Sequence, residues 1–298
     1  MNLYYFMLCF FVYGFLGWCT EVGYAAVKSG RFVNRGFLNG PICPIYGVGV
    51  SVVIAFLTPY RSNILVLYVL SVVLVTVLEG VTGFAMDKIF HNKWWDYSNQ
   101  PLNIGGYVCL VFSIAWGVAC VFIVEFFHPV VDRLINFLPE AVGVILLVIL
   151  SITLVIDLIV TSSMIFKMNR RLESMEKIAA ELKQISNQIG GEIYKGVSTT
   201  MERQESAGEF KTKLQETTEG MKDRLQETSE GMRDKLMETS ESMRERIQYL
   251  KNSYQELGET GNRVSKRLVK AFPKMQNRKS GVQFEAFRTR IYEKWKKK

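Results

Sequence analysis

Residues 140–171 read EAVGVILLVILSITLVIDLIVTSSMIFKMNRR, and this stretch decides the fold. From Ala141 to Phe166 it is apolar apart from Asp157 and a few hydroxyls, and it turns basic at once with Lys167, Arg170 and Arg171. A hydrocarbon core about 30 Å thick is crossed by about 20 apolar residues in a helix, so the stretch reads as a membrane span ending at a charged interface. The same point divides the whole chain. Of 36 Lys+Arg and 28 Asp+Glu in 298 residues, residues 1–166 hold only 7 and 8. The remaining 29 and 20 crowd into residues 167–298, which excludes a single soluble globule.

Working back from residue 140, four more apolar segments meet the length criterion, giving spans at 3–26, 41–59, 63–86, 105–127 and 140–166. The second is the shortest and contains Gly47 and Gly49, which leaves a re-entrant segment as its alternative. The opening MNLYYFMLCFF has no basic flank, so the first segment reads as a retained helix rather than a cleaved signal. The expected fold class is therefore all-α: a polytopic bundle of about five membrane helices with a C-terminal helical, coiled-coil tail. The expected domains are 1–166 for the bundle, 167–262 for the helical tail and 263–298 for a basic C-terminal segment.

Loop 27–40 carries Lys28, Arg31 and Arg35, and loop 87–104 carries Lys88 and Lys93. The intervening loops carry only Arg61 and Arg133. The positive-inside rule then predicts a cell-membrane protein with the N-terminus outside and the tail cytoplasmic.

Carboxylates inside apolar spans are costly, about 2.5–3.5 kcal/mol each on insertion scales, so each asks for a reason. Glu21, Glu79 and Asp157 all fall toward the predicted cytoplasmic side, whereas Glu125 lies near the outer end and reads as interfacial. The first three either pair with Arg31, Arg35, Lys88 or Lys93, or line a polar site for a cation or other polar cargo. Pro41 is expected in the first turn of the second helix, with Asn39 or Gly40 as its cap. In FHNKWWDYS (90–98), Trp94, Trp95 and Tyr97 read as an interfacial aromatic belt. A His91–Asp96 acid–base or metal pair is the weaker alternative. The five cysteines contain no C-x-x-C pair and the chain has two histidines, so no metal or cofactor is expected.

Five strings carry a resemblance: GWCTE (17–21), NRGFLNGPICPIYG (34–47), LEGVTG (78–83), FHNKWWDYS (90–98) and PLNIGG…CLVFSIAWG (101–117). They resemble the ABC-transporter type IV permease family of Gram-positive bacteria, over about residues 1–165. The resemblance implies motif positions at Gly17, Trp18, Glu21, Asn34, Arg35, Gly36, Pro41, Pro44, Tyr46, Gly47, Glu79, Trp95, Asp96, Tyr97 and Trp116. Among these, Glu21, Asn34, Arg35, Glu79 and Asp96 join Asp157 as polar candidates for a substrate site. Tyr107 departs from the pattern, which commonly has arginine there; if that arginine supplies a counter-charge, this chain must find another. The implied function is a permease subunit, not an enzyme. No G-x-x-x-x-G-K-[ST] string occurs, so a separate nucleotide-binding subunit is the expected partner.

The tail adds a second reading. From Lys211 the sequence repeats as KTKLQETTEGM, KDRLQETSEGM and RDKLMETSESM, followed by a degenerate RERIQYLKNSY. Eleven residues in three turns keep Leu214, Met221, Leu225, Met232, Leu236, Met243, Ile247 and Tyr254 on one helical face. Residues 211–254 are thus expected to self-associate into a homo-oligomer, and Gly190-Gly191 is expected to break the helix that precedes them. Residues 263–298 hold 13 Lys+Arg against two Glu, with Phe284, Phe287, Ile291 and Trp295 at helical spacing. That pattern predicts contact with anionic lipid rather than nucleic acid. A membrane-anchored scaffold acting through its tail is accordingly the alternative function.

Overall fold

The computed structural model describes residues 2–210, 241–258 and 263–296. The described residues are mostly helical. Helix α1 spans Leu3–Ser29, α2 Pro44–Leu57 with a 3-10 turn at Thr58–Tyr60, and α3 Ile64–Phe90. Helices α4 (Leu110–Phe122) and α5 (His128–Phe137) continue through one π turn, Ile123–Phe127, and α6 runs Glu140–Phe210. Residues 241–258 form α7, followed by α8 (Arg263–Ala271) and α9 (Gly281–Lys296). The strands are two-residue pairs: β1 (Asn92–Lys93) with β4 (Gln276–Asn277), and β2 (Asn103–Ile104) with β3 (Val108–Cys109), both antiparallel.

Among the described residues, four helices are long and apolar enough to cross a membrane: Leu3–Ser29, Ile64–Phe90, Leu110–Phe137 and Glu140–Gly191. The apolar helix Pro44–Tyr60 is shorter. Their outward faces are apolar as well. On α3, Val69, Val73, Val77 and Val81 recur every fourth residue and are each half exposed or more. A helix with an exposed aliphatic stripe and a packed opposite face is solvated by lipid. Start and stop signals act as the residue types dictate. Asn2 and Asn63 cap α1 and α3 by accepting from the Tyr5 and Val66 amides, and Gly30 ends α1 in the left-handed region.

Three sequence expectations are corrected. Helix α2 begins at Pro44, not around Pro41, and Cys43 is its cap position in extended backbone (φ −112°, ψ 99°). The ring of Pro44 clashes with a helical residue before it, which forces Cys43 out of the helix and leaves Pro41 in the loop. Helix α6 continues through Gly190-Gly191 rather than breaking, since a helical glycine costs only about 1 kcal/mol against alanine. Trp94 is no interfacial belt residue: it is 3% exposed, edge-on to Phe37 and Phe272.

The chain divides into two compact units, Met1–Leu172 with Gly261–Lys298, and Glu173–Thr260. Within the second, Arg246 of α7 pairs with Glu181 of α6 at 2.7 Å. The repeats at 211–240, on which most of the coiled-coil expectation rests, lie outside the described residues. Within the first, α8, β4 and α9 dock on the end of the bundle that carries loops 30–43 and 91–109. Leu268, Val269, Met275, Phe284, Phe287 and Ile291 share one buried cluster with Phe90, Trp94, Ile165, Met168 and Leu172. Phe284, Phe287 and Ile291 of the apolar face expected to meet lipid are therefore buried in protein, while the Trp295 side chain lies outside the described residues. Beneath them three asparagines interlock: Asn277 Nδ2 donates to Asn92 Oδ1 (2.9 Å) and Asn169 Oδ1 (3.1 Å).

Candidate functional site

The loop between α1 and α2 builds the site. Instead of crossing the bundle end it folds back along α1, and Cys43 N donates to Gly14 O at 2.9 Å. Gly14 lies 15 residues before Ser29, roughly 22 Å at 1.5 Å per residue. Non-helical backbone among membrane helices persists only when protein satisfies its N–H and C=O groups. The partners are specific here. Asn34 Oδ1 accepts from Trp18 Nε1 (2.8 Å) and Gly36 N (2.9 Å), while Asn34 Nδ2 donates to Asn39 O (2.8 Å). Asp157 of α6 accepts from Gly40 N (2.7 Å), Asn39 N (3.1 Å) and Asn39 Nδ2 (2.9 Å), and Thr161, one turn further, donates to it at 3.1 Å.

The loop's carbonyls face a cation. Arg267 of α8 donates through NH1 to Gly36 O (2.6 Å) and Asn34 O (3.5 Å), and through NH2 to Phe37 O (2.9 Å). Burial lowers the Arg267 pKa to about 10, partly offset by the nearby Asp157 carboxylate, so the guanidinium stays charged at neutral pH. A carboxylate takes the donors of this backbone and a guanidinium takes its acceptors.

The other two carboxylates lie elsewhere in the same end of the bundle. Arg35 Nε stands 3.3 Å from Glu21 Oε2 as an ion pair without hydrogen-bond alignment, with its guanidinium over the Tyr24 ring. Tyr46 OH donates to Glu21 Oε1 at 2.7 Å. Gly17 allows this: a Cβ there would meet the Tyr46 side chain at 2.5 Å. Gly47 in turn packs on Phe10. Glu79 is 9% exposed, accepts only from Tyr97 OH (3.3 Å), and its Oε2 has no hydrogen-bond partner among the described residues. None of Arg31, Arg35, Lys88 or Lys93 forms a direct ion pair with it among the described residues.

Aromatic rings link each of the two carboxylates to α4. Trp116 stands edge-on to Tyr46 at 5.9 Å, and Phe112, one turn away on α4, stacks on Tyr97 at 4.8 Å. Glu21, Tyr46 and Trp116 form one chain of contacts and Glu79, Tyr97 and Phe112 another, and the two meet α4 one helical turn apart. Asp157 stands apart from them, engaged with the loop.

Asp96 is engaged locally, accepting from Lys93 Nζ (2.7 Å) and Ser98 Oγ (2.6 Å). These bonds outweigh burial and hold its pKa at about 2. His91 caps α3 in the left-handed region (φ 53°), and no group of three His, Cys, Asp or Glu able to hold a metal occurs among the described residues. Trp95 Nε1 donates to Tyr107 O at 2.8 Å, so this indole too turns inward. Glu125 is not a bare headgroup contact: Arg61 pairs with it at 3.0 Å.

Sequence reasoning passed over Arg267, Arg278 and Asp87, and it read Asn39 as a helix cap rather than as a partner of Asp157. Tyr107 OH donates to Asp87 at 2.5 Å, and Arg278 reaches both Asp87 (2.7 Å) and Tyr107 OH (3.1 Å). The basic side chain beside Tyr107 thus comes from the C-terminal segment. Asp157 and Thr161, four apart on one apolar face, were the one legible signal of a polar partner for the loop.

The model of the family described as "Putative ABC-transporter type IV" matches residues 8–162, and the chain belongs to that family. No curated protein and no solved structure matches the chain.

Proposed function

From that membership as premise, we propose that the protein is the membrane-embedded permease subunit of an ABC-type transporter, driven by a separate nucleotide-binding subunit. Glu79 carries this reading. A carboxylate in an apolar helix, nine-tenths buried and with one oxygen unpartnered, costs stability and is kept where a polar species must be bound. Glu21, Tyr46 and Tyr97 extend the polar site, and the Trp116 and Phe112 faces bound it. Loops 30–43 and 91–109 face the cytoplasm, because they hold most of the lysine and arginine of the short loops. Docking of α8 and α9 on those loops supports placing the C-terminal segment on the same side. The test is co-purification from membranes with candidate nucleotide-binding subunits. A stable complex whose ATP hydrolysis depends on this chain is expected; failure of every candidate to bind or to be stimulated overturns the reading.

A membrane-anchored scaffold is the second reading, favoured by the eleven-residue repeats. Tethering in a bilayer raises effective concentration, so weak helical layers can associate there. Crosslinking in membranes should fall sharply in the double variant Leu225→Asp and Leu236→Asp. Unchanged crosslinking removes the repeats as an oligomer seam.

A further inference from the structure

The family match ends at residue 162, yet the loop bearing Arg35 and leading into Tyr46 is held from far beyond it. Three carbonyls of that loop, Asn34, Gly36 and Phe37, receive their donors from Arg267. Arg267 itself is fixed by its surroundings: Leu268 and Val269 beside it are fully buried, and Met275, Phe284 and Phe287 share their cluster. The segment is secured twice more, by β1–β4 pairing with the Asn92, Asn169 and Asn277 interlock, and by Arg278 on Asp87. Further along the same loop, Asp157 takes the amides of Asn39 and Gly40.

We propose that Arg267 is a positioning residue of the permease site: the docked C-terminal segment completes the site by gripping loop 34–43 against Asp157. Release of the segment frees the carbonyls of Asn34, Gly36 and Phe37 while Asp157 still holds Asn39 and Gly40. The stretch from Asn34 to Phe37, with Arg35 at its centre, then loses its fixed distance to Glu21. The site is thereby coupled to a part of the chain that lies next to the tail in sequence. This inference rests on the permease reading only for what the site does, and its test reads the loop alone.

Cys43 reports on the grip, since it is 5% exposed and lies within electrostatic reach of the Arg267 guanidinium. In the full-length chain with Cys43 as sole cysteine, Arg267→Ala should raise its maleimide labelling rate about tenfold, the scale of losing one charged hydrogen bond. Arg288→Ala, on the same segment but bonded within it to Glu285 and the Pro273 carbonyl, should leave the rate unchanged. Methylguanidinium at millimolar concentration should restore protection to Arg267→Ala, and urea at the same concentration should not. A matched chain carrying only Cys120, 6% exposed within the α3–α4 packing, should label slowly in both variants. If Arg267→Ala opens Cys120 too, Arg267→Lys is measured instead, with a smaller rise at Cys43 alone expected. No rise at Cys43, a rise that methylguanidinium leaves in place, or equal opening of Cys43 and Cys120 in both variants overturns the proposal. A negative result here leaves nucleotide-binding-subunit association untouched, so the two readings fail separately.

Discussion

The Asp157 carboxylate on α6 accepts the backbone N–H of Gly40 at 2.7 Å, across 117 residues of chain. Its other oxygen takes the Asn39 amide and side chain. A charge placed at this depth in an apolar helix therefore serves backbone polarity, and it fixes where the loop can lie.

Asp157→Ala leaves the Asn39 and Gly40 amides without their acceptor. Each unsatisfied donor costs about 1–3 kcal/mol, so a loss on the order of 3 kcal/mol is expected. Thermal unfolding in detergent measures it. Asp157→Asn, which keeps one acceptor oxygen, should recover about half; equal losses in the two variants would count against the capping role.

Glu79→Gln removes a buried carboxyl group that has no cation in contact, so the melting temperature should hold or rise. Activity with the partner ATPase should nonetheless fall, by about tenfold or more if the carboxylate contacts cargo. Glu125→Gln loosens only the Arg61 pair, which is half exposed on the arginine side and contributes about 0.2–1 kcal/mol. Comparable activity in both variants would strip Glu79 of its role.

Gly17→Ala puts a methyl 2.5 Å from Tyr46, between α1 and α2. Overpacking of this kind costs about 1–3 kcal/mol and should shift Tyr46 off Glu21. Measured stability within experimental error of the parent would show that the helices separate freely there.

The Asp96 turn should respond to acid. Its carboxyl titrates at about 2 in the folded chain against about 3.9 when unfolded. The stabilisation is whole above pH about 4 and is lost as pH falls toward 2. Fluorescence of Trp95, bonded to Tyr107 O in the same turn, should follow that loss, and Asp96→Asn should abolish the step.

Topology is tested by single cysteines. Arg31→Cys and Lys88→Cys should react with an impermeant maleimide only from the cytoplasmic side, and Tyr60→Cys only from outside. Labelling of position 31 in intact cells inverts the assignment.

The sequence by itself determined what local periodicity and composition encode. Apolar runs of span length marked the long helices able to cross a membrane. It also singled out Glu79 and Asp157, because carboxylates in apolar runs stand out without knowledge of their neighbours. The partners of those groups were decided only in three dimensions. Gly40 and Asp157, or Gly36 and Arg267, lie 117 and 231 residues apart, and no spacing rule selects one basic residue among the 13 in the C-terminal segment. Phe284, Phe287 and Ile291 show the same division. Their spacing announces an apolar face whether lipid or protein covers it, since both solvate methylene and aromatic groups alike. Only the docked structure, with its asparagine interlock and its guanidinium on the loop carbonyls, selects protein, because those hydrogen bonds require fixed partners that a fluid bilayer does not provide.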